Sequence, residues 1–124
     1  MKKIHTNNAP AAIGPYSQAI ACGDFLFTSG QIGLNPENGE VVSGGIKAQA
    51  EQALKNLLAI IEEAGSDASK VVKTTCFLAD MADFAAFNEV YAQYIPNAPA
   101  RSCVAVRELP KAVLCEVEAV VYLK

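Results

Sequence analysis

The stretch Val71-Val72-Lys73-Thr74-Thr75-Cys76-Phe77-Leu78, which follows a long amphipathic segment at 45–64, decides the fold of this chain. Its β-branched and aromatic residues are typical of a strand. In the segment before it, apolar residues recur every three or four positions with charged residues between them, which predicts a helix. Gly65 predicts the end of that helix, because glycine readily adopts the left-handed conformation found there. A helix leading into a buried strand predicts a helix packed on a sheet.

A second helix is predicted directly after this strand. Asp80 is expected to cap its start, and Pro96 to end it. Phe84, Phe87 and Tyr91 share one side of the predicted helix and are expected to face the sheet. The expected fold is therefore α+β, a sandwich of one mixed β-sheet with two helices on one face.

The remaining strands are predicted from apolar runs at 17–22, 25–32, near 101–106 and 113–122, with a short strand before the first helix. Gly23-Asp24 joins the first two runs and favours a tight hairpin. The predicted order is β-β-(short β)-α-β-α-β-β, in a single domain that spans residues 1–124. Both faces of the last strand are largely apolar, so oligomerisation is expected to cover the sheet face that the helices leave open.

Composition excludes several classes of protein. The chain has 124 residues, 52% of them hydrophobic, which fits a packed core and excludes intrinsic disorder. Its formal net charge is −3, without a basic stripe, so nucleic acid is not expected as the main partner. The amino terminus lacks a secretory h-region, and no run of apolar residues is long enough to cross a bilayer, so a cytoplasmic protein is expected.

The four cysteines do not suggest a metal centre. They show neither a CxxC pair nor histidines at ligand spacing, and His5 is the only histidine. The same shortage of histidine argues against Ser-His-Asp or Cys-His catalysis. Cys22, Cys76 and Cys115 are expected in the core as reduced thiols, and Cys103 is expected to be a packed or lining thiol.

Arg101 and Glu116 are the leading candidates for chemistry, because charges within strands that pack are costly unless they are paired or used. If the last two strands form an antiparallel hairpin through residues 107–110, Arg101 lies opposite Glu116 on one face, together with Cys103 and Glu118. Such a pair could bind an anionic substrate and activate a water molecule. A plain cross-strand ion pair explains the same pattern equally well.

Three further positions fit either a site or ordinary structure. Thr28-Ser29-Gly30-Gln31-Ile32 places a glycine in a strand pattern, which marks either a bulge or a close approach to a ligand. Tyr16 follows a Gly-Pro turn and would line a site or lie on a surface loop. Asn88 interrupts the apolar side of the second helix, where a satisfied polar residue is more common than a ligand contact.

Five segments together carry a resemblance to a known family. They are Asn8–Ala19, Thr28–Ile32, Lys73–Thr75, Pro99–Ser102 and Glu116–Ala119. In this order they resemble the successive motifs of the RidA (YjgF) family, over nearly the whole chain. The segment at 94–99 is a few residues shorter than the loop usual before the family's arginine.

The resemblance implies a chorismate-mutase-like fold assembled as a homotrimer with a central barrel and active sites in clefts between subunits. It implies a deaminase that hydrolyses 2-iminobutanoate and 2-iminopropanoate, which arise from intermediates of pyridoxal-phosphate enzymes, to 2-oxo acids and ammonia. No cofactor or metal is implied for the chain itself. By motif, Arg101 would hold the substrate carboxylate and Glu116 would activate the water. The other implied site residues are Cys103 and Gly30 through their backbones, Tyr16 as a lining residue, and Ser29 and Asn88 in support.

Other functions stay open at this point. A non-enzymatic trimer could bind a small metabolite, or act like a chaperone, through the same cleft. Members of the family have also been associated with translation inhibition and endoribonuclease activity, although the acidic balance here argues against tight RNA binding. A chorismate mutase would share the fold but would need more cationic contacts for a dicarboxylate.

Overall fold

One mixed six-stranded sheet carries both helices on the same face, as predicted. A computed structural model describes all 124 residues. The strands lie in the order β1-β2-β3-β6-β4-β5 across the sheet. The elements are β1 Lys2–Ile4, β2 Ala19–Cys22, β3 Phe25–Thr28, α1 Gly45–Glu63, β4 Val71–Leu78, α2 Phe84–Tyr94, β5 Ala100–Ala105 and β6 Cys115–Tyr122.

Helix α1 supplies much of the core. Leu54, Leu57 and Ile61 are fully buried on its sheet-facing side, and each such side chain stabilises the fold by about 2 kcal/mol. Gly65 has a φ of 85°, and its N–H donates to the carbonyl of Glu62. The predicted end of the helix is thus confirmed, because glycine adopts this left-handed conformation without a steric penalty. No helix is long and apolar enough to cross a membrane.

Strand β4 lies between β5 and β6, and this arrangement corrects the predicted hairpin of the last two strands. β4 pairs with β5 in parallel, with Thr74 opposite Arg101, and with β6 in antiparallel, with Phe77 opposite Glu116. A parallel neighbour requires a crossover, and α2 supplies it. The chain then crosses β4 through residues 106–114, so Arg101 and Glu116 never pair.

The two faces of the sheet have different surroundings. Side chains of one set, including Thr74, Cys76 and Val117, are buried beneath the helices. Those of the alternating set point away from the helices, and several are large, apolar and exposed. The exposed members include Phe25, Phe27, Val104 and Tyr122, at 39%, 49%, 47% and 40%. We call the second surface the open face.

The terminal regions differ from the sequence predictions in detail. β1 was not predicted, because its three residues are too few to show a period. The run at 25–32 leaves the regular ladder after Thr28, and the expected short strand is only an isolated bridge between Leu34 and Val41. Cys22 was expected in the core but is exposed, since it ends β2 on the open face.

Candidate functional site

Arg101 lies at the start of edge strand β5 and points towards α2. One guanidinium nitrogen, Nη1, donates to Oδ1 of Asn88 over 2.8 Å. Its Cζ atom lies 4.9 Å from the ring centroid of Tyr91 and 5.5 Å from that of Phe84. The three ion pairs of the chain, Lys47–Glu89, Lys55–Glu51 and Lys124–Asp24, do not involve Arg101. A half-buried cation without an acidic partner retains its capacity to bind an anion.

Glu116 lies on the open face and packs over the backbone of Gly30. A Cβ atom built on Gly30 would lie 2.7 Å from Cδ of Glu116 and closer still to Oε2, so only glycine leaves room for this carboxylate. Burial raises the pKa of Glu116, and the negative charge of Glu118 raises it further. A carboxyl group with a raised pKa exchanges protons more readily near neutral pH, as a general acid or base must.

The segment after β3 brings Gly30 to this position. Oγ1 of Thr28 accepts a hydrogen bond from the N–H of Ala119 and replaces a backbone partner in the ladder. Gln31 then exchanges both backbone hydrogen bonds with Val117, at 2.8 and 3.0 Å. Gly30 therefore lies between two residues, Thr28 and Gln31, that hydrogen-bond to β6. The glycine in this strand pattern marks the close approach of the Glu116 side chain to the Gly30 backbone.

A cavity of about 990 Å³ opens beside Glu116. Its lining includes Tyr16, Ser29, Gly30 and Glu118, so three of the positions singled out in the sequence lie beside the Glu116 carboxylate. Tyr16 is 52% exposed and forms part of the wall.

Gln18 holds residues 6–17, the segment that carries Tyr16 and that we call the arm. Its Oε1 accepts from the N–H of Thr6, and its Nε2 donates to the carbonyls of Thr6 and Pro10 over 3.1 and 2.9 Å. Ser29 fixes the other end, because its Oγ donates to the carbonyl of Ser17. We therefore expect Ser29 to shape the wall of the cavity through the arm.

The predicted residues form two sets on opposite faces of the sheet. Arg101, Asn88 and Cys103 lie on the side of the helices, while Glu116 and its neighbours line the cavity of the open face. The expectation that Arg101 and Glu116 share a face is wrong. The alternation of side chains within each strand was predicted correctly. β5 and β6 do not pair with each other, so the predicted register between them does not exist.

Cys103 is half-buried beside Arg101, and its surroundings do not activate it. Burial raises the pKa of its thiol, although the charge of Arg101 acts in the opposite direction. Burial also raises the pKa values of Cys76 and Cys115 to about 12. Thiols held in the protonated form are poor nucleophiles, which agrees with a lining role for Cys103. No group of three His, Cys, Asp or Glu residues could hold a metal ion.

Several residues that support the site were not among the positions predicted from the sequence. Asn56 of α1 is fully buried and donates to the carbonyls of Ile32 and Leu34, and Gln49 accepts from the N–H of Leu114. Both amides tie loops near the cavity to α1. In the sequence, both could be recognised as polar residues seven positions apart on an otherwise apolar helix face. Phe84 and Tyr91 were predicted only as apolar helix residues, yet both contact Arg101.

A family model described as Endoribonuclease L-PSP matches residues 6–123, which is nearly the whole chain. The chain belongs to the RidA (YjgF) family. Among its relatives, a RutC family protein of Pyrococcus horikoshii is 54% identical over 96% of this chain and 95% of that protein. The human 2-iminobutanoate/2-iminopropanoate deaminase is 51% identical over 94% of this chain and 86% of its own length.

Solved structures of RidA relatives share the fold described above. The crystal structure of E. coli TdcF with bound serine matches with a TM-score of 0.94 and 43% identity, and the match covers 98% of each chain. The mixed sheet with two helices is therefore the fold of the RidA family.

Proposed function

We propose that the chain is an imine hydrolase that converts 2-iminobutanoate and 2-iminopropanoate to the corresponding 2-oxo acids and ammonia. The human relative with this activity in its name is 51% identical over most of both chains. TdcF supports the expected ligand size, since its crystal structure holds serine, a small amino acid with a carboxylate.

The observation that carries the proposal is the free charge of Arg101. Its guanidinium is held by a neutral amide and two aromatic rings, and no carboxylate of the chain pairs with it. A guanidinium binds a carboxylate through two parallel hydrogen bonds, so a 2-imino acid is a suitable ligand.

Glu116 is the proposed base. It takes a proton from a water molecule as the oxygen adds to the C=N carbon, which forms a carbinolamine. The carboxyl group passes that proton to the nitrogen, which completes the neutral carbinolamine. It then takes the proton of the new hydroxyl group and delivers it to the nitrogen as the C–N bond breaks, so that ammonia leaves and the carbonyl of the 2-oxo acid forms. Only water and proton transfers are needed, and the raised pKa of Glu116 suits both transfers.

A second copy of the chain would bring the two sets of residues together. Arg101 and Glu116 of one copy lie on opposite sides of the sheet, so they cannot contact one small substrate. The open face carries large exposed apolar side chains such as Phe27 and Val104, which a partner would cover. We therefore propose a homotrimer in which Arg101, Asn88 and Cys103 of one subunit face Tyr16, Gly30 and Glu116 of the next.

The test couples the protein to a serine or threonine dehydratase that releases the enamine, with semicarbazide present to trap the free imine. The parent protein should suppress semicarbazone formation. Arg101→Ala and Glu116→Gln should not, whereas Arg107→Ala should, because Arg107 is an exposed arginine outside the cavity. A binding module without activity would leave the semicarbazone yield unchanged, and that result would reject the proposed reaction.

Nucleic acid cleavage has little support in the site itself, although the family model carries an endoribonuclease description. The cavity beside Glu116 is also lined by Glu118 and Glu37, against a single cation, Lys111, and the chain has a net charge of −3. Carboxylates at this density repel a phosphate backbone.

A further inference from the structure

The contacts of Arg101 are unusual for a half-buried charge. Burying a guanidinium is costly unless it is paired, and most such residues find a carboxylate. Arg101 instead has a single hydrogen bond, to Asn88, and two ring faces beneath its Cζ atom. Of the two rings, that of Tyr91 is closer, at 4.9 Å to the centroid. Ring faces attract a cation through their quadrupole and leave its N–H donors unoccupied.

Tyr91 is itself fixed from two directions. It is 7% exposed, and its hydroxyl group shares a 2.7 Å hydrogen bond with Oγ1 of Thr74, which is fully buried. The ring of Phe87 packs against it, with centroids 5.8 Å apart. A tyrosine held at both its hydroxyl and its ring has little freedom to change rotamer.

The pairing of β4 with β5 connects these side-chain contacts to the backbone of Arg101. Thr74 is the residue of β4 that lies opposite Arg101 on β5. The backbone of Arg101 is therefore in register with the residue whose side chain holds Tyr91, and the ring of Tyr91 lies beneath the Arg101 side chain. The orientation of the guanidinium thus depends on the central strand of the sheet as well as on α2.

The chemistry of the ring matters as much as its position. Burial raises the pKa of Tyr91, so its hydroxyl group stays neutral. A carboxylate in its place would form an ion pair with Arg101 and compete with an anionic ligand for the same donors. A neutral ring orients the cation and leaves the charge available.

We propose that Tyr91, held by the Thr74 hydroxyl, is a positioning residue that fixes the Arg101 guanidinium for carboxylate binding without neutralising it. This role rests on the proposed function as far as the ligand is an imino acid. The positioning itself concerns only contacts within the chain, and it can be measured without turnover.

The kinetic test uses Tyr91→Leu, Tyr91→Phe, Thr74→Val and Thr74→Ser, with Tyr94→Phe as a control for loss of a tyrosine hydroxyl elsewhere on α2. We expect Tyr91→Leu to raise KM for the imine about tenfold, the effect of losing a partly desolvated cation–π contact, with a smaller change in kcat. Tyr91→Phe and Thr74→Val should each raise KM about threefold. Thr74→Ser keeps the hydroxyl group and should retain the parent KM, as should Tyr94→Phe.

The second readout is the NMR signal of the Arg101 Nε–H group. The chain has only one other arginine, so Arg107→Lys assigns the two signals. Ring currents should shift the Arg101 signal upfield of the Arg107 signal, and Tyr91→Leu should move it back towards the Arg107 position. An unmoved signal in a folded Tyr91→Leu variant, or an unchanged KM in an active one, would overturn the inference. If the parent protein proves inactive, the proposed reaction is rejected while the signal still decides the positioning.

Discussion

Arg101 and Glu116 lie on opposite faces of one sheet, separated by β4, which pairs with both of their strands. Arg101 is held among side chains of α2, and Glu116 is held against Gly30 at the cavity of the open face. Each residue has local support that suits its proposed task, yet neither can reach the other within one chain. The proposed function therefore requires that a second copy of the chain supply one of the two residues to each site.

Mixing two inactive variants should restore activity. We expect Arg101→Ala and Glu116→Ala to be inactive alone, and co-expressed trimers that contain both variants to regain about a third of the parent activity, since one site in each such trimer would receive both intact residues. The measurement is imine hydrolysis by co-purified trimers that carry two different affinity tags. Mixed trimers without activity would instead mean that one subunit supplies both residues.

The acidic side of the pH profile should report the raised pKa of Glu116. The proposed base must be ionised, so kcat/KM should fall as the pH drops through a pKa above the usual glutamate value of 4.5. Because the charge of Glu118 contributes to this shift, Glu118→Gln should move the acidic limb to lower pH. A limb at the same pH in both proteins would contradict this electrostatic coupling.

Removing the charge of Glu116 should stabilise the fold while it abolishes activity. A carboxyl group whose pKa is higher in the folded state than in the unfolded state destabilises the folded protein at any pH where the unfolded group is ionised. We expect Glu116→Gln to raise Tm at pH 7 by on the order of 2 °C at equal protein concentration. The gain should shrink below pH 4, where the carboxyl group is protonated in both states. A Tm difference that is independent of pH would point to packing.

A methyl group on Gly30 should impair chemistry more than folding. The Cβ of Gly30→Ala would displace the Glu116 carboxylate, which belongs to a side chain that can move. A misplaced base can lower kcat by about a hundredfold. Gly33→Ala is the matched contrast. Its Cβ would lie 2.8 Å from Cα and O of Gln49 in α1, where backbone must yield, so we expect a clear loss of Tm. Thermal melts and steady-state kinetics on both variants separate the two outcomes.

The open face should be the site of self-association. A lysine at Phe27, which is 49% exposed on that face, would have to be desolvated in a subunit interface. We expect Phe27→Lys to shift the protein from trimer to monomer in analytical ultracentrifugation. Met81→Lys changes a residue of similar exposure, 43%, that precedes α2 and lies off the sheet. It should leave the assembly intact, and a trimeric Phe27→Lys would exclude this part of the open face from the interface.

Local patterning was enough to predict the elements with clear periods. Strand β4 was predicted at its observed bounds, and α1 to within one residue, because a strand of β-branched residues and a nineteen-residue amphipathic helix carry strong signals. Asp80 was expected as a cap, and its side chain accepts from the N–H of Ala82 in the short turn before α2. Alternation also assigned Arg101 with Cys103, and Glu116 with Glu118, to shared faces of their own strands.

The partners of each strand depended on contacts far apart in the sequence. Period two defines the two faces of a strand but not the neighbour it pairs with. A hairpin between β5 and β6 is the shortest connection, yet a parallel β5 buries α2 against the sheet and leaves β6 free to pair with both β3 and β4. The support of Arg101 by Tyr91 and Thr74 was hidden for the same reason, because it joins three elements.

The sequence by itself determined the fold class and the lengths of the main helix and of strand β4. It also singled out Arg101 and Glu116 as the leading candidates for chemistry. These properties follow from local periodicity and from the cost of placing charges in apolar strands. Only the tertiary structure decided that the two residues face opposite sides, because insertion of β4 between their strands is a choice among long-range pairings. That separation excludes an ion pair between Arg101 and Glu116 within one chain.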